Sequence, residues 1–211
     1  MTVTAIGLVT LGLVARMPAP PPRPPSAGQA PARWRDAGRA VLRPGVAGGL
    51  SWGAQGVVLA FLILHLRGEG VASPASVLTI FAVAVIVARL VLAGVPDRYG
   101  PGRSAAVSQV IAAGGLVVLA LASSMPAAAA GAILLGIGFA TLQPSLTLLA
   151  LDRLDPRRRQ AGTGLFVACM DLGVAAGTAL GGLIAAWQGE SAALLLAAAF
   201  TLAGAGVIAR G

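Results

Sequence analysis

Read by its apolar and polar positions, the chain falls into seven apolar blocks. They run from Thr2 to Ala15, Val46 to Leu66, Ser73 to Val95, Ser104 to Ser124, Ala127 to Leu151, Gly162 to Trp187 and Ser191 to Ala209. A helix crosses a hydrocarbon core of roughly 30 Å with about 20 apolar residues, and all seven blocks approach or meet that length. Lipid offers no hydrogen bonds to a backbone, so such blocks are expected as internally bonded helices. The first block holds only about 14 residues and reads as a helix whose outer end is missing. The expected fold class is all-α: a polytopic membrane bundle of six helices over residues 45–211. A partial helix in 1–16 and a Pro/Arg-rich linker in 17–44 precede it.

The polar connections set the orientation. Arg16, Arg23, Arg33, Arg35, Arg39 and Arg43 separate the first two blocks, and Arg98 and Arg103 the third and fourth. Arg153, Arg157, Arg158 and Arg159 separate the fifth and sixth, and Arg210 follows the last. The alternate connections hold only Arg67, Glu69 and Glu190. Thirteen arginines against one make the Arg-rich side cytoplasmic, because positive loops resist translocation. The expected location is the cell inner (plasma) membrane, with the N-terminus outside and the C-terminus inside. A cleaved signal peptide is the competing reading of the first block. It lacks a positive n-region and an A-x-A site, and cleavage would strand the arginine-rich linker outside.

Composition agrees with lipid as the solvent. Of 211 residues, 57% are hydrophobic and only 10% charged, with mean hydropathy +0.87. A soluble domain carries about a quarter charged residues, and this chain has too few to cover a wetted globule. A net charge of +8 would suit a nucleic-acid partner. All fifteen positive residues, however, are arginines placed between apolar blocks, with no basic face, so no nucleic-acid partner is expected. Cys169, the single cysteine, lies in an apolar run and reads as a small buried hydrophobe. No His/Glu zinc pattern, G-x-S-x-G elbow or nucleophile–base pair occurs. Neither a metal, a cofactor nor an enzymatic site is expected.

The one long polar stretch, Met17 to Arg43, opens with six prolines between Pro18 and Pro25, a pattern that favours extended polyproline II. Trp34 to Arg43 is basic and amphipathic. It reads either as a segment lying on the anionic leaflet or as a solvated linker.

Polar groups inside the blocks are costly and therefore informative. Asp171 lies about nine residues inside the sixth block, near the bilayer centre, roughly opposite a stripe formed by Gly173, Gly177 and Gly181. The stripe allows close helix approach; the carboxyl suits either proton binding and release or a structural hydrogen bond. Gly45, Gly49 and Gly53 form a similar stripe in the second block, which also carries Trp52 and Gln55 midway. Gln143-Pro144 interrupts the fifth block with a predicted kink. Gln55, Gln143 and Trp52 join Asp171 as proton or solute candidates. Arg89 sits close enough to the third block's end to snorkel. His65 reads as interfacial, and the fourth and seventh blocks as lipid-facing.

The run Ala93-Gly94-Val95-Pro96-Asp97-Arg98-Tyr99-Gly100-Pro101-Gly102-Arg103 resembles the G-x-x-x-D-R-x-G-R-[KR] loop motif of the major facilitator superfamily. Two more stretches are similar to that family. Gly136-Ile137-Gly138 through Gln143-Pro144 to Asp152, followed by Asp155 to Arg159, looks like its tenth helix and following loop. Asp171-Leu172-Gly173 with Gly177 and Gly181 looks like its eleventh. Ala93 departs from the motif's first glycine, and Pro101-Gly102 from its basic pair, leaving Arg103 alone. The resemblance implies the end of helix six, the central linker and helices seven to twelve. It also implies alternating access by two six-helix halves around a central site, moving a small-molecule solute, with proton-coupled efflux as the expected type. In the family the loop is a charge latch, which implies that role for Asp97, Arg98, Gly100 and Arg103, with Arg89 as a candidate partner of Asp97. The implied partners are the bilayer, a solute, and the missing N-terminal half or a second copy. The competing reading is a truncated or split product without transport activity of its own.

Overall fold

The computed structural model describes residues 34–151, 154 and 159–210, and these are helical nearly throughout. Among them run seven helices: α1 (Trp34–Gly68), α2 (Pro74–Val91), α3 (Val95–Tyr99), α4 (Pro101–Ala120), α5 (Met125–Leu151), α6 (Arg159–Gln188) and α7 (Glu190–Ala209). All but α3 are long and apolar enough to cross a membrane. The first apolar block, the Pro18–Pro25 run, Asp152, Arg153 and the stretch 155–158 lie outside the described residues.

The helix ends follow from local chemistry. Gly70 at φ 71° closes α1: Val71 N donates to Leu66 O at 2.9 Å and Gly70 N to Arg67 O at 3.1 Å, a Schellman-type cap. Pro74 and Pro101 open α2 and α4, where a missing N–H costs nothing. Gly100, at φ 82°, breaks the chain between α3 and α4, a conformation that side chains with a Cβ rarely adopt. The motif residues Pro96, Asp97 and Arg98 therefore sit on a short helix, not in an irregular loop.

At the start of α1 the structure departs from the sequence expectation. The helix begins at Trp34, ahead of the apolar block, and runs through Pro44 without a break. Val41 is 1% exposed in a core cluster with Leu146, Leu154 and Phe166, and Arg43 donates to Val207 O on α7 at 2.9 Å. Packing at Val41 and the bond from Arg43 outweigh the proline's lost hydrogen bond, and they carry the end of this segment into the bundle.

Glycine sets the closest packing. A Cβ on Gly49 would stand 2.8 Å from Cys169 O, and one on Gly53 2.8 Å from Gly173 O. A Cβ on Gly177 would meet Gly53 Cα and, at 2.5 Å, Gly53 O. The two stripes thus face each other, backbone against backbone, across α1 and α6. Burying apolar area against apolar lipid gains little, so close contact is what holds such a pair. Gly115 and Gly131 do the same for α4 and α5, with a Cβ on Gly115 2.8 Å from Gly131 O. α1 also packs along α7, α4 along α7, and α2 along α5.

Two apolar clusters fill the interior. One surrounds Val57, Leu62, Leu116, Leu135 and Leu194; the other surrounds Val41, Leu142, Leu146 and Phe166. Between them in sequence on α1, α4, α5 and α7 lie the buried polar residues Ser51, Ser108, Gln109, Thr141 and Thr201. Gln109 Nε2 donates to Ser51 Oγ at 2.8 Å and to Ala47 O at 3.2 Å, and Ser108 and Thr141 share a hydroxyl hydrogen bond of 2.6 Å. Thr201 Oγ1 donates to Ala197 O at 2.9 Å within α7. This polar layer ties α1 to α4 and α4 to α5.

It also corrects one sequence expectation. α4 does not simply face lipid: 56% of its spanning window is buried, and Gln109 is wholly inside. His65, in the last turn of α1, is 5% exposed, with Nε2 lacking a partner. The least covered spans are α2, with 11% of its window buried, and α6, with 17%.

Candidate solute cavity

Successive long helices reverse direction, so the starts of α1, α4 and α6 share one end with the ends of α2, α5 and α7. The Arg43–Val207 bond joins that end, and Ser191 Oγ, donating to Ala120 O at 2.8 Å, joins the other. Arg98, Arg103, Arg159 and Arg210 gather at the first end and Arg67 stands at the second.

A cavity of about 340 Å³ opens among α1, α2, α5 and α6, within the range of small-molecule sites. Its aromatic side is built around Phe139 of α5. Trp52 of α1 lies edge-on with ring centroids 6.1 Å apart at 73°, and Phe81 of α2 likewise at 6.2 Å and 79°. Such edge-to-face pairs favour fixed ring positions. The polar side consists of Ser51, Gln55, Gln143 and Arg89. Gln55 Oε1 is buried with no hydrogen-bond partner. Ser51, which also lines the cavity, accepts from Gln109 behind it. Gly204 makes room for that amide, since a Cβ there would lie 3.2 Å from Gln109 Cδ.

A second cavity, of about 570 Å³, adjoins the first. Arg89 and Gln143 line both, and Asp97, Pro96, Pro144 and Thr147 line the second. The pair of cavities thus runs from the aromatic cluster to the motif helix α3. Asp97 and Arg98 are exposed, and Arg103 lines a third hollow with Tyr99 and Ser104.

Of the residues singled out from sequence, the fold brings Trp52, Gln55, Gln143 and Arg89 together. It does not bring Asp171 to them. The α6 residue that lines the cavity is Phe166, and Asp171 points about 140° away around the helix, on the exposed side. Sequence reading placed Asp171 opposite the glycine stripe correctly but could not say that the cavity lies on the stripe's side. Ser51, Gln109, Phe81 and Phe139 were missed. A small hydroxyl or an amide in an apolar block gives no sign of its facing partner, and a phenylalanine there looks like any core residue. Among the described residues, no group of three or more His, Cys, Asp and Glu side chains comes together as a metal site.

Comparison with known proteins follows the same lines. The family profile described as Major Facilitator Superfamily matches residues 46–210. The chain is 35% identical over 131 residues to an uncharacterised MFS-type transporter of Salmonella typhimurium, covering 62% of this chain and 34% of that protein. With the MFS-type transporter YhhS of Salmonella paratyphi C the identity is 27% over 198 residues, covering 94% of this chain and 48% of YhhS. An MFS-type transporter of Burkholderia mallei is 31% identical over 164 residues, which are 78% of this chain and 40% of the relative. The chain therefore spans a third to a half of the length of these relatives. Among solved structures, the POT family transporter PepTSo aligns with TM-score 0.68 at 16% identity, covering 85% of this chain and 38% of that one. At that identity the likeness is one of fold.

Proposed function

The chain belongs to the major facilitator superfamily, and we propose that it forms one six-helix wall of a pathway for a small solute. The observation that carries this reading is the cavity: four of the six long helices contribute to it, and two of those, α2 and α6, are the least covered spans. An uncovered apolar helix face beside a partly polar cavity is the arrangement expected where a second bundle completes the site. The facing wall is an N-terminal six-helix half or a second copy of this chain. Residues 1–16 and 17–44 serve as partial helix and linker, with the linker's last turns belonging to α1.

In this reading the Arg-rich end is cytoplasmic and the bilayer is the inner membrane. Trp52, Gln55 and Gln143 contact the solute. Asp97, Arg98, Gly100 and Arg103 act as the cytoplasmic latch, with Arg89 bordering the cavity that Asp97 also lines. Asp171, on the uncovered side of α6, meets the facing half and carries the proton of an efflux cycle. The contrary reading, a fragment without activity of its own, rests on the share of each relative that the chain spans.

Cysteine scanning tests the cavity. With Cys169→Ser as background, Gln55→Cys and Gln143→Cys are expected to react in membranes with a water-soluble maleimide, whereas Leu202→Cys, on the exposed face of α7, does not. Unreactive cysteines at both glutamine positions would remove the solute pathway.

A further inference from the structure

The charge inside the cavity narrows the solute beyond the proposed transport role, on which this inference rests. Among the described residues that line the cavity, Arg89 is the sole charged side chain. Asp171, the carboxylate that sequence offered as a proton or solute contact, lies on the exposed side of α6 and does not line the cavity, and Asp97 lines only the adjoining cavity, which Arg89 shares. A cationic solute would find aromatic faces but no carboxylate, and would have to share the space with a guanidinium. We propose that the cavity takes an amphipathic organic anion, its charged group paired with Arg89 and its apolar body against Trp52, Phe81 and Phe139.

The chemistry of each part fits. Arg89 stands in the last turn of α2, at the Arg-rich end, while the aromatic cluster lies deeper along α1 and α5. The cavity thus carries its one charge towards the Arg-rich end, with the aromatic rings and the neutral Ser51 and Gln55 further along, matching a molecule charged at one end. A guanidinium offers a planar fork of donors that fits a carboxylate or sulfonate with two parallel hydrogen bonds. Arg89 is exposed near the end of α2, so its guanidinium is open to an anion entering the cavity, which a charge-assisted pair would hold. Gln143 lines both cavities with Arg89 and offers an amide donor for the same anionic group. Gln55 Oε1, buried and without a partner, accepts from a hydroxyl or N–H on the solute's body.

The test uses the full chain in nanodiscs of zwitterionic lipid, with Trp34→Phe and Trp187→Phe so that Trp52 alone reports. The probes are 4-nitrobenzoate and 4-nitrobenzylammonium, contact quenchers of similar shape and opposite charge. The anion is expected to quench Trp52 with at least about tenfold tighter affinity, the scale of one charge-assisted hydrogen bond. Arg89→Gln should abolish that preference and Arg89→Lys should keep most of it. Equal or tighter binding of the cation, or a preference that survives Arg89→Gln, overturns the anion assignment while leaving a solute site in place. Quenching by neither probe overturns the assignment and the solute cavity together.

Discussion

Replacing Gly177 by alanine probes the contact on which the bundle's geometry rests. A Cβ at that position must open its distance to Gly53 O from 2.5 Å to about 3.4 Å, the lower edge of ordinary contact. Backbone lies on both sides, so no flexible side chain can yield. Overpacking of this kind costs about 1–3 kcal/mol, against which alanine gains about 1 kcal/mol over glycine in a helix. The net expectation is a loss of up to about 2 kcal/mol. Gly164, on the same helix, supplies the control: it is exposed and nothing lies within 4 Å of a Cβ there. Gly164→Ala should therefore stabilise by up to about 1 kcal/mol, leaving the two variants about 1–3 kcal/mol apart. The assay is unfolding in mixed micelles by stepwise addition of sodium dodecyl sulfate, followed by far-ultraviolet circular dichroism. Equal midpoints for the two variants would refute the close approach of α1 and α6.

Gln109→Ala leaves Ser51 Oγ and Ala47 O without the amide that the structure gives them. A loss of about 1–3 kcal/mol is expected in the same unfolding assay, and a midpoint like that of the parent chain would show the polar layer to be idle. Asp171→Asn should abolish pH-dependent transport in the intact carrier with membrane insertion unchanged, measured as solute flux in proteoliposomes across a range of pH. Unchanged pH dependence removes the proton role and leaves the cavity assignment untouched.

The sequence alone determined that this chain carries six apolar helices long enough to cross a membrane, where five of them begin and end to within a few residues, and where α1 ends. Those properties follow from a one-dimensional quantity, the length of an apolar run against the thickness of a bilayer. The motif from Ala93 to Arg103 and the two glycine stripes were likewise visible as spacing along the chain. Tertiary structure decided what faces what. It set Gly49 and Gly53 against Gly173 and Gly177, drew Trp34 to Arg43 into α1 through Val41 and Arg43, and buried Gln109 in a helix whose sequence offered no sign of it. It also gathered Trp52, Gln55, Gln143 and Arg89 around one cavity and left Asp171 outside it. The physical reason is that in an apolar solvent nearly every face of a helix is apolar. The choice of partner then rests on close contact and paired polar groups, which exist only once two helices have met.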